Sequence, residues 1–463
     1  MKKRFVKIIS AALSAAMIMG TAGCGGNGGQ EAETPAAAPA ETSAPEATAK
    51  PADGQEEAKG AAAGSTITMM ASQNWIKDID RELIEKFKEE TGIQVKLLVT
   101  PDNGYSTLLG TSLADGSDVV DIFMYDAGKP MVSLGVPDMA LDLSNEPWAA
   151  NMEDWAVTAN TYEDKLYGFS TWGVDYEGVL YNKTFFDENN LKPAETWEEF
   201  VALCDSIKEL GKTPLYEPIN GVWHTQSWFY SMTNVLNHEA TPGAAEWLNE
   251  SKDNKIASLK TAKEGLTQIA ELLNAKDANG KPKYYTNDGQ SEDWFGSYTS
   301  LQNRDTVMMV TYTAYPAELA ANGCKDDWGM FPLPVAGTDS VNANGGGISK
   351  YVNKYSQNID ACKAYLEFLA KPENLDTYYA ARTDLVTAAF KGVNTVKPTN
   401  ATTEALERSK EEPAVRLMND MLYWDPDLYK YFQGFAAGTM TPDQFLENMD
   451  TYRATMFDAA TTN

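Results

Sequence analysis

Aromatic residues stand beside acid or amide residues at the ends of two predicted strands. Asn74 and Trp75 follow an apolar strand candidate at 66–71, and Tyr125 and Asp126 end a second, buried one at 119–125. A flat aromatic ring attracts the apolar face of a small molecule, and a carboxylate or amide oxygen accepts hydrogen bonds from its polar rim. These pairs therefore indicate a binding site for a small polar molecule.

Further candidates of the same kinds lie in later loops and strand ends: Trp223, His224, Asp293, Trp294, Tyr312, Tyr315 and Trp424. Three consecutive glycines, Gly345, Gly346 and Gly347, would let the backbone approach a ligand closely. Core packing, helix capping or a plain turn is the alternative role at each of these positions.

Other kinds of chemistry have no matching motif. Only two histidines occur, and no C-x-x-C or H-E-x-x-H spacing is present, so no transition-metal site and no cofactor is expected. A nucleophile elbow, a P-loop and a dinucleotide-binding glycine pattern are also absent. Paired carboxylates of the glycosidase kind stay open as an alternative, although 66 acidic residues make accidental pairs common.

Helical and strand patterns alternate along the chain. From 78 to 90, Ile79, Leu83, Ile84 and Phe87 recur at helical spacing, and Gly92 ends the run. Further helices are predicted at 105–114, 196–210, 256–273 and 360–370, and further strands at 93–99, 178–181 and 306–310. This alternation predicts an α/β fold with a largely parallel sheet. About 400 residues follow the N-terminal segment, enough for two lobes with a cleft between them.

The N-terminal segment is typical of an export signal. Four basic residues within the first seven precede a short apolar run at 8–19, which is too short to span a bilayer. Small residues before Cys24 resemble a bacterial lipobox, although Thr21 stands where leucine is usual. We expect a lipoprotein signal peptide at 1–23 and a lipidated Cys24, with a simple secretory cut as the alternative. Residues 24–64, rich in Gly, Ala, Pro and Glu, are predicted to form a disordered tether.

Net charge excludes some partners. Without the four basic residues of the leader, 34 basic residues stand against 66 acidic ones, a formal charge of −32. Nucleic acid is therefore not an expected partner. Cys204, Cys324 and Cys362 would remain after lipidation of Cys24, and they allow one disulfide at most.

Six segments together resemble the family 1 extracellular solute-binding proteins, the carbohydrate-uptake relatives of maltose-binding protein. They read LIEKFKEETGIQVKL (83–97), KLYGFSTWGVDYEGVLYNK (165–183), PAETWEEFVALCDSIKELGKTP (193–214), WGMFPLP (328–334), GGGISK (345–350) and DACKAYLEFLAKP (360–372). A tryptophan that the family often carries near 312–315 is missing here, and Tyr312 or Tyr315 would supply the aromatic wall instead.

The resemblance implies a two-lobe periplasmic-binding fold of type II with an interlobe cleft. Lobe 1 would comprise 65–170 plus 334–390, and lobe 2 would comprise 179–328 plus 391–463, with hinge crossings at 171–178 and 329–333. Trp172 and Asp175 would lie in the first crossing, and Asp175 matches an acidic position that the family uses for hydroxyl contacts. Arg382 and Asp384 would lie at the last cleft segment.

The implied function is capture of a mono- or oligosaccharide by lobe closure and its delivery to the membrane permease of an ABC importer. The protein would be a non-enzymatic monomer, lipid-anchored on the extracellular face of the cytoplasmic membrane. An exported glycan-active enzyme and a surface adhesion or sensory receptor are the competing functions. A sugar phosphate or other non-sugar solute is the alternative ligand.

Overall fold

Twelve strands form two five-stranded sheets and one two-stranded ribbon within the described part of the chain. A computed structural model describes residues 64–101, 104–114, 117–219, 224–286, 294–345, 347–382, 385, 387–424 and 428–461. The strands are β1 (Thr66–Ser72), β2 (Gln94–Thr100), β3 (Ile122–Asp126), β4 (Thr161–Tyr162), β5 (Lys165–Leu166), β6 (Gly168–Ser170), β7 (Asp175–Asn182), β8 (Thr213–Leu215), β9 (Thr306–Tyr312), β10 (Trp328–Phe331), β11 (Asn342–Asn344) and β12 (Ile348–Val352).

The helices connect these strands and cover both sheets. They are α1 (Asp78–Thr91), α2 (Tyr105–Ser112), α3 (Lys129–Ser133), α4 (Val136–Met139), α5 (Asp154–Ala159), α6 (Lys183–Asn189), α7 (Trp197–Glu209), α8 (Ser227–Tyr230), α9 (Thr233–Glu239), α10 (Ala244–Glu250), α11 (Lys260–Asn274), α12 (Gly296–Gln302), α13 (Tyr315–Ala321), α14 (Ile359–Leu369), α15 (Pro372–Ala381), α16 (Asn400–Arg408), α17 (Leu417–Asp420), α18 (Tyr429–Ala436) and α19 (Pro442–Thr461). Short 3₁₀ turns lie at Gln73–Trp75, Ala149–Asn151, His224–Gln226, Ile256–Ser258 and Val335–Gly337.

The first sheet has the strand order β2-β1-β3-β12-β6. β1 pairs in parallel with both β2 and β3, whereas β12 runs antiparallel to β3 and β6. The second sheet has the order β10-β7-β9-β8, with β11 also paired to β7. Only β8 and β9 are parallel there. The predicted α/β class is confirmed, but the prediction of a largely parallel sheet is wrong because both sheets are mixed.

The central strands β1, β3 and β9 are buried on both faces, so they are almost continuously apolar. In β1, Met69 packs into one hydrophobic cluster and Met70 into another on the opposite face. In β9, Met308 and Met309 divide in the same way between the two clusters of the second sheet. The chain therefore folds into two separate cores, one around each sheet.

Local signals explain several helix ends. The helical run predicted from 78 is α1, which buries Ile79, Leu83, Ile84 and Phe87 and ends at Gly92 with a φ of 74°. That positive φ suits glycine, which has no Cβ to clash. Helix α7 begins where the Thr196 side chain accepts a hydrogen bond from the Glu199 amide.

Three connections join the two halves of the chain. The third, at 391–399, leads from Phe390 in the core of the first sheet to α16, which packs in the core of the second. In the first two, which are neighbours, the chain passes directly from one sheet to the other. It leaves the first sheet after Ser170 and enters the second at Asp175, and it returns between Asn344 and Ile348. A second crossing at 329–333 was expected, but 329–331 lies inside β10, which pairs with β7. Residues 342–344 likewise belong to the second sheet rather than to the predicted first lobe, because β11 pairs with β7.

Candidate functional site

The two crossings lie side by side at the end of β3. A Cβ built on Gly347 would lie 2.8 Å from the Cβ of Trp172, which leaves no room for a side chain at this position. The carbonyl of Gly347 accepts a hydrogen bond from the Ala127 amide at 3.1 Å. The end of the buried strand β3 and both crossings are therefore brought together where the two sheets meet.

Four predicted site residues lie on the first-sheet side of this junction. Asn74 is exposed, and Trp75 is half-buried with its ring edge-on to Tyr105 at 4.9 Å. Tyr125 is buried, and burial raises its pKa to about 12. Asp126 is half-buried, and burial raises its pKa while the Arg416 guanidinium opposes that rise. The electrostatic partner of Asp126 thus comes from a distant, C-terminal part of the chain.

Trp172 and Arg382 form a stacked pair beneath the crossing. The guanidinium carbon of Arg382 lies 4.8 Å from the centroid of the Trp172 ring and 5.4 Å from that of Tyr378. Arg382 is only 1% exposed. A guanidinium held between two aromatic faces supports the position of the indole. In this conformation Arg382 backs the site through Trp172.

Asp175 is bound by the backbone and side chains of the second sheet. Its Oδ1 accepts hydrogen bonds from the Tyr176 amide at 2.9 Å, the Thr313 hydroxyl at 2.5 Å and the Ala314 amide at 3.1 Å. Burial nevertheless raises the pKa of Asp175 to about 7, with the Thr313 hydrogen bond opposing the shift.

Three predicted aromatic residues pack against one another around the end of β9. Trp294 stacks on Tyr312 at 5.7 Å, and its ring lies 4.6 Å from that of Tyr315. The hydroxyls of Tyr312 and Tyr298 both donate to the carboxylate of Glu318, at 2.6 and 2.9 Å. Tyr315 is fully buried and bonds Ser297, so it offers no ring face to a ligand in this conformation.

A polar network that the sequence analysis missed lies at the same junction. The Arg416 Nη1 is 3.5 Å from the Glu177 Oε1, and its guanidinium carbon lies 5.4 Å from the Tyr230 ring. The amide of Asn342 donates to the other Glu177 oxygen at 2.9 Å, and the Nε of Arg416 donates to the Asn419 side chain. The sequence offered one indication of this network, the candidate residue Trp424, because its ring lies 5.6 Å from that of Tyr230.

Helices α3 and α17 bring the two halves of the site into contact. Met131 of α3 packs in the core of the first sheet, and Leu417 of α17 packs in the core of the second. A Cβ on Gly128, just before α3, would lie 2.7 Å from the Asn419 carbonyl oxygen. The Ser133 hydroxyl also donates to the Leu422 carbonyl. The lobes therefore touch directly beside Asp126 and Arg416.

Several candidates lie elsewhere. His224 is fully buried, with its Nδ1 3.6 Å from the Glu217 Oε1 and its ring 5.4 Å from that of Trp294. Gly345 lies against Val415, where an added Cβ would come within 3.1 Å of the valine side chain. Outside the described residues lie Cys24, Trp223, Asp293, Gly346 and Asp384.

Metal binding and membrane crossing are two further possibilities for the described ranges. No cluster of three or more His, Cys, Asp or Glu side chains there could hold a metal ion. In the same residues, no helix combines the length and apolar character needed to cross a membrane. The thiols of Cys204, Cys324 and Cys362 are free and buried.

The protein has two mixed α/β lobes that are joined by adjacent crossings. Polar and aromatic side chains line the place where the lobes meet. This arrangement defines the class of two-lobe periplasmic-binding proteins. Residues 82–407, more than half of the chain, match the family described as bacterial extracellular solute-binding protein. The chain belongs to this family.

Related proteins and solved structures agree with that assignment. The multiple sugar-binding protein of Streptococcus mutans is 24% identical over 333 residues, 69% of this chain and 74% of that protein. The erythritol/L-threitol-binding protein of Mycolicibacterium smegmatis is 25% identical over 215 residues, 42% of this chain and 43% of that protein. These relatives are named as binding proteins, not as enzymes.

The structural likeness extends over most of this chain and nearly all of each solved structure. The solute-binding protein RafE in complex with raffinose gives a TM-score of 0.67 at 18% identity, with 84% of this chain and 99% of that chain covered. A sugar transporter protein of Bacillus licheniformis in complex with stachyose gives 0.67 at 16% identity, with coverage of 84% and 100%. At these identities the likeness establishes the shared fold.

Proposed function

We propose that the protein captures a neutral carbohydrate between its lobes and delivers it to the permease of an ABC importer. The observation that carries the proposal is the junction itself, where Asp126 and Trp172 of the first lobe and its crossing meet Glu177, Tyr230 and Arg416 of the second. Sugars present apolar faces and hydroxyl rims, which suit this mixture of aromatic rings and charged acceptors. Relatives named for sugar or polyol binding support the same ligand class.

The proposed ligand contacts come from both lobes. They are Asn74, Trp75, Tyr125, Asp126, Trp172, Asp175, Trp223, Trp294, Tyr312, Tyr315, Gly346 and Arg382, with Tyr315 and Arg382 acting in this conformation through their neighbours. When the ligand contacts are divided between the two lobes, only the closed form of the protein makes all of them. Ligand binding therefore shifts the population of molecules from the open to the closed form. We propose lobes near the predicted boundaries, with the second crossing at 345–347.

A thermal-shift and calorimetric screen of the purified protein tests this function. The panel contains glucose, galactose, raffinose, stachyose, erythritol, sugar phosphates and peptides. A ligand that binds only the folded state stabilises it by about 2.7 kcal/mol at a concentration one hundred times its Kd. We expect one or a few neutral carbohydrates to raise the melting temperature. A folded protein that responds to peptides alone, or to nothing on the panel, would contradict the proposal.

We further propose export as a lipoprotein anchored through Cys24. The prediction is that cells fed labelled palmitate label the wild-type protein and that Cys24→Ser abolishes the label and releases the protein from the membrane. Equal labelling of both forms would remove the anchor from the proposal. Coupling to an importer is tested by permease ATPase activity, which the sugar-loaded protein should stimulate more than the ligand-free protein.

A further inference from the structure

Four side chains at the lobe junction are linked by two hydrogen bonds and one ion pair, and chemistry fixes their orientation. Glu177 can only accept and Arg416 can only donate. The Asn342 group that meets the Glu177 carboxylate at 2.9 Å must therefore be its NH₂, and the Asn419 group that meets the Arg416 Nε must be its oxygen. Neither amide can be flipped without placing two acceptors or two donors face to face.

This orientation leaves one acceptor and one donor at the ends of the network. Asn342 Oδ1 and Asn419 Nδ2 have no hydrogen-bond partner, and both side chains are 99% buried. Buried polar atoms are nearly always paired, because leaving one unpaired carries the full cost of its desolvation. The two atoms are therefore placed to bind a ligand that donates to the first and accepts from the second.

The charges around the network disfavour an anionic group. The single guanidinium of Arg416 already serves two carboxylates, Glu177 by direct contact and Asp126 by its electrostatic field. The nearby cation of Lys129 acts on the Asp420 carboxylate. A phosphate or carboxylate group placed here would meet uncompensated negative charge, and because that group only accepts hydrogen bonds, it could not pair with Asn342 Oδ1.

We propose that Asn342 and Asn419 read hydroxyl groups of the bound solute, and that the Glu177–Arg416–Asp126 charge set makes the site select neutral polyhydroxyl ligands over acidic sugars. A hydroxyl both donates and accepts, so it satisfies either free atom. Asn342 lies in the second sheet, and the Asn419 carbonyl lies against Gly128 of the first lobe, so this network of the second lobe borders the junction between the lobes. The inference rests on the carbohydrate-binding function proposed above.

Calorimetry of the purified protein tests the inference by measuring its affinity for neutral and for acidic sugars. The neutral sugars are glucose, galactose, raffinose and stachyose, and the acidic ones are glucuronate, galacturonate and glucose 6-phosphate. Neutral sugars should bind, and acidic ones should bind at least about a hundredfold more weakly. Asn342→Ala and Asn419→Ala should each weaken neutral-sugar binding about tenfold. Asn394→Ala, at an exposed position, is the matched control and should leave the affinity unchanged.

A second variant separates specificity from structural damage. Glu177→Gln removes one negative charge and keeps one of the two acceptor oxygens, so the preference for neutral over acidic sugars should narrow about tenfold or more. Its NH₂ group must face a donor, either Asn342 or Arg416, so the ratio of the two affinities is the readout and urea unfolding checks that the variant is folded. Three results would each overturn the inference. The first is that acidic sugars bind as tightly as neutral ones, and the second is that Glu177→Gln leaves the ratio of neutral to acidic sugar affinity unchanged. The third is unaltered sugar affinity in both asparagine variants, which would mean that water fills the two positions. Binding of no carbohydrate at all would instead overturn the proposed function, and the inference with it.

Discussion

Gly128 offers a direct test of the contact between the lobes. Its backbone has φ 77° and ψ −150°, a region that is essentially restricted to glycine. A Cβ at this position would lie 2.7 Å from the Asn419 carbonyl oxygen, which is backbone and cannot rotate away. Gly128→Ala should therefore both strain its own loop and hold α17 away from the first lobe.

The two effects can be separated by magnitude and by a matched control. Positive φ costs a residue with a Cβ about 1–2 kcal/mol in folding stability. Gly211 has the same φ of 77° but no atom within 4 Å of an added Cβ. Gly211→Ala should thus lose about 1 kcal/mol of stability and no ligand affinity. Gly128→Ala must in addition move the lobes apart by about 0.5 Å to reach ordinary contact distance, and we expect about tenfold weaker binding.

Urea unfolding gives the stability of both variants, and calorimetry with the carbohydrate found in the panel gives their affinities. Small-angle scattering of the ligand-bound forms should show a larger radius of gyration for Gly128→Ala than for Gly211→Ala. Full ligand affinity in a folded Gly128→Ala protein would refute the reasoning, because the lobes would then close without the contact seen here. Equal losses of affinity in both variants would refute it as well.

Three further outcomes are expected. Arg453→Met should lower the free energy of unfolding in urea by about 3 kcal/mol or more, because it removes a 98% buried cation from Asp450 and from backbone carbonyls. Asp175→Asn should flatten the pH dependence of stability between pH 4 and pH 7. A folded-state pKa of about 7, above the ordinary 3.8, means that the folded protein binds the extra proton in this window, so stability falls as pH rises. A thiol reagent should modify three cysteines only after denaturation, since all are buried: Cys204, Cys324 and Cys362.

Each of these outcomes has its own control. Arg408→Met removes a partly exposed arginine 3.9 Å from Glu404 and should change the stability by less than about 0.5 kcal/mol. A loss as small as this for Arg453→Met would contradict the assigned role of that side chain. An unchanged pH slope in Asp175→Asn would contradict the raised pKa. Rapid thiol modification of the native protein would contradict the burial of the cysteines.

The helices and strands were predictable because their signals are local. The spacing of the apolar residues Ile79, Leu83, Ile84 and Phe87 predicts a helix with these four side chains on one face, and the structure buries all four in α1. Thr196 likewise marks the start of α7 through its own side chain. Strand direction was not predictable in this way, because the neighbours of a strand can come from distant parts of the sequence. For example, β12 lies antiparallel to β3 although more than 200 residues separate them.

The candidate site was predictable only in part. Asp126 and Trp172 come to the lobe junction, since strand ends and crossings collect there in a two-lobe fold. Trp294, Tyr312 and Tyr315 pack against one another, a contact that the sequence did not indicate, because aromatic rings attract one another when folding brings them together. Their part in ligand binding stays a prediction.

By itself the sequence determined the α/β class, the family and most element positions, since composition and periodicity act over short stretches of chain. Only the tertiary structure decided which polar groups face one another across the lobes. Asn342 meets Glu177 from 165 positions away, and Arg416 reaches the field of Asp126 only where α17 meets the end of β3. Such pairings have no local signature, because hydrogen bonds and Coulomb forces act through space and depend on the distances that folding creates.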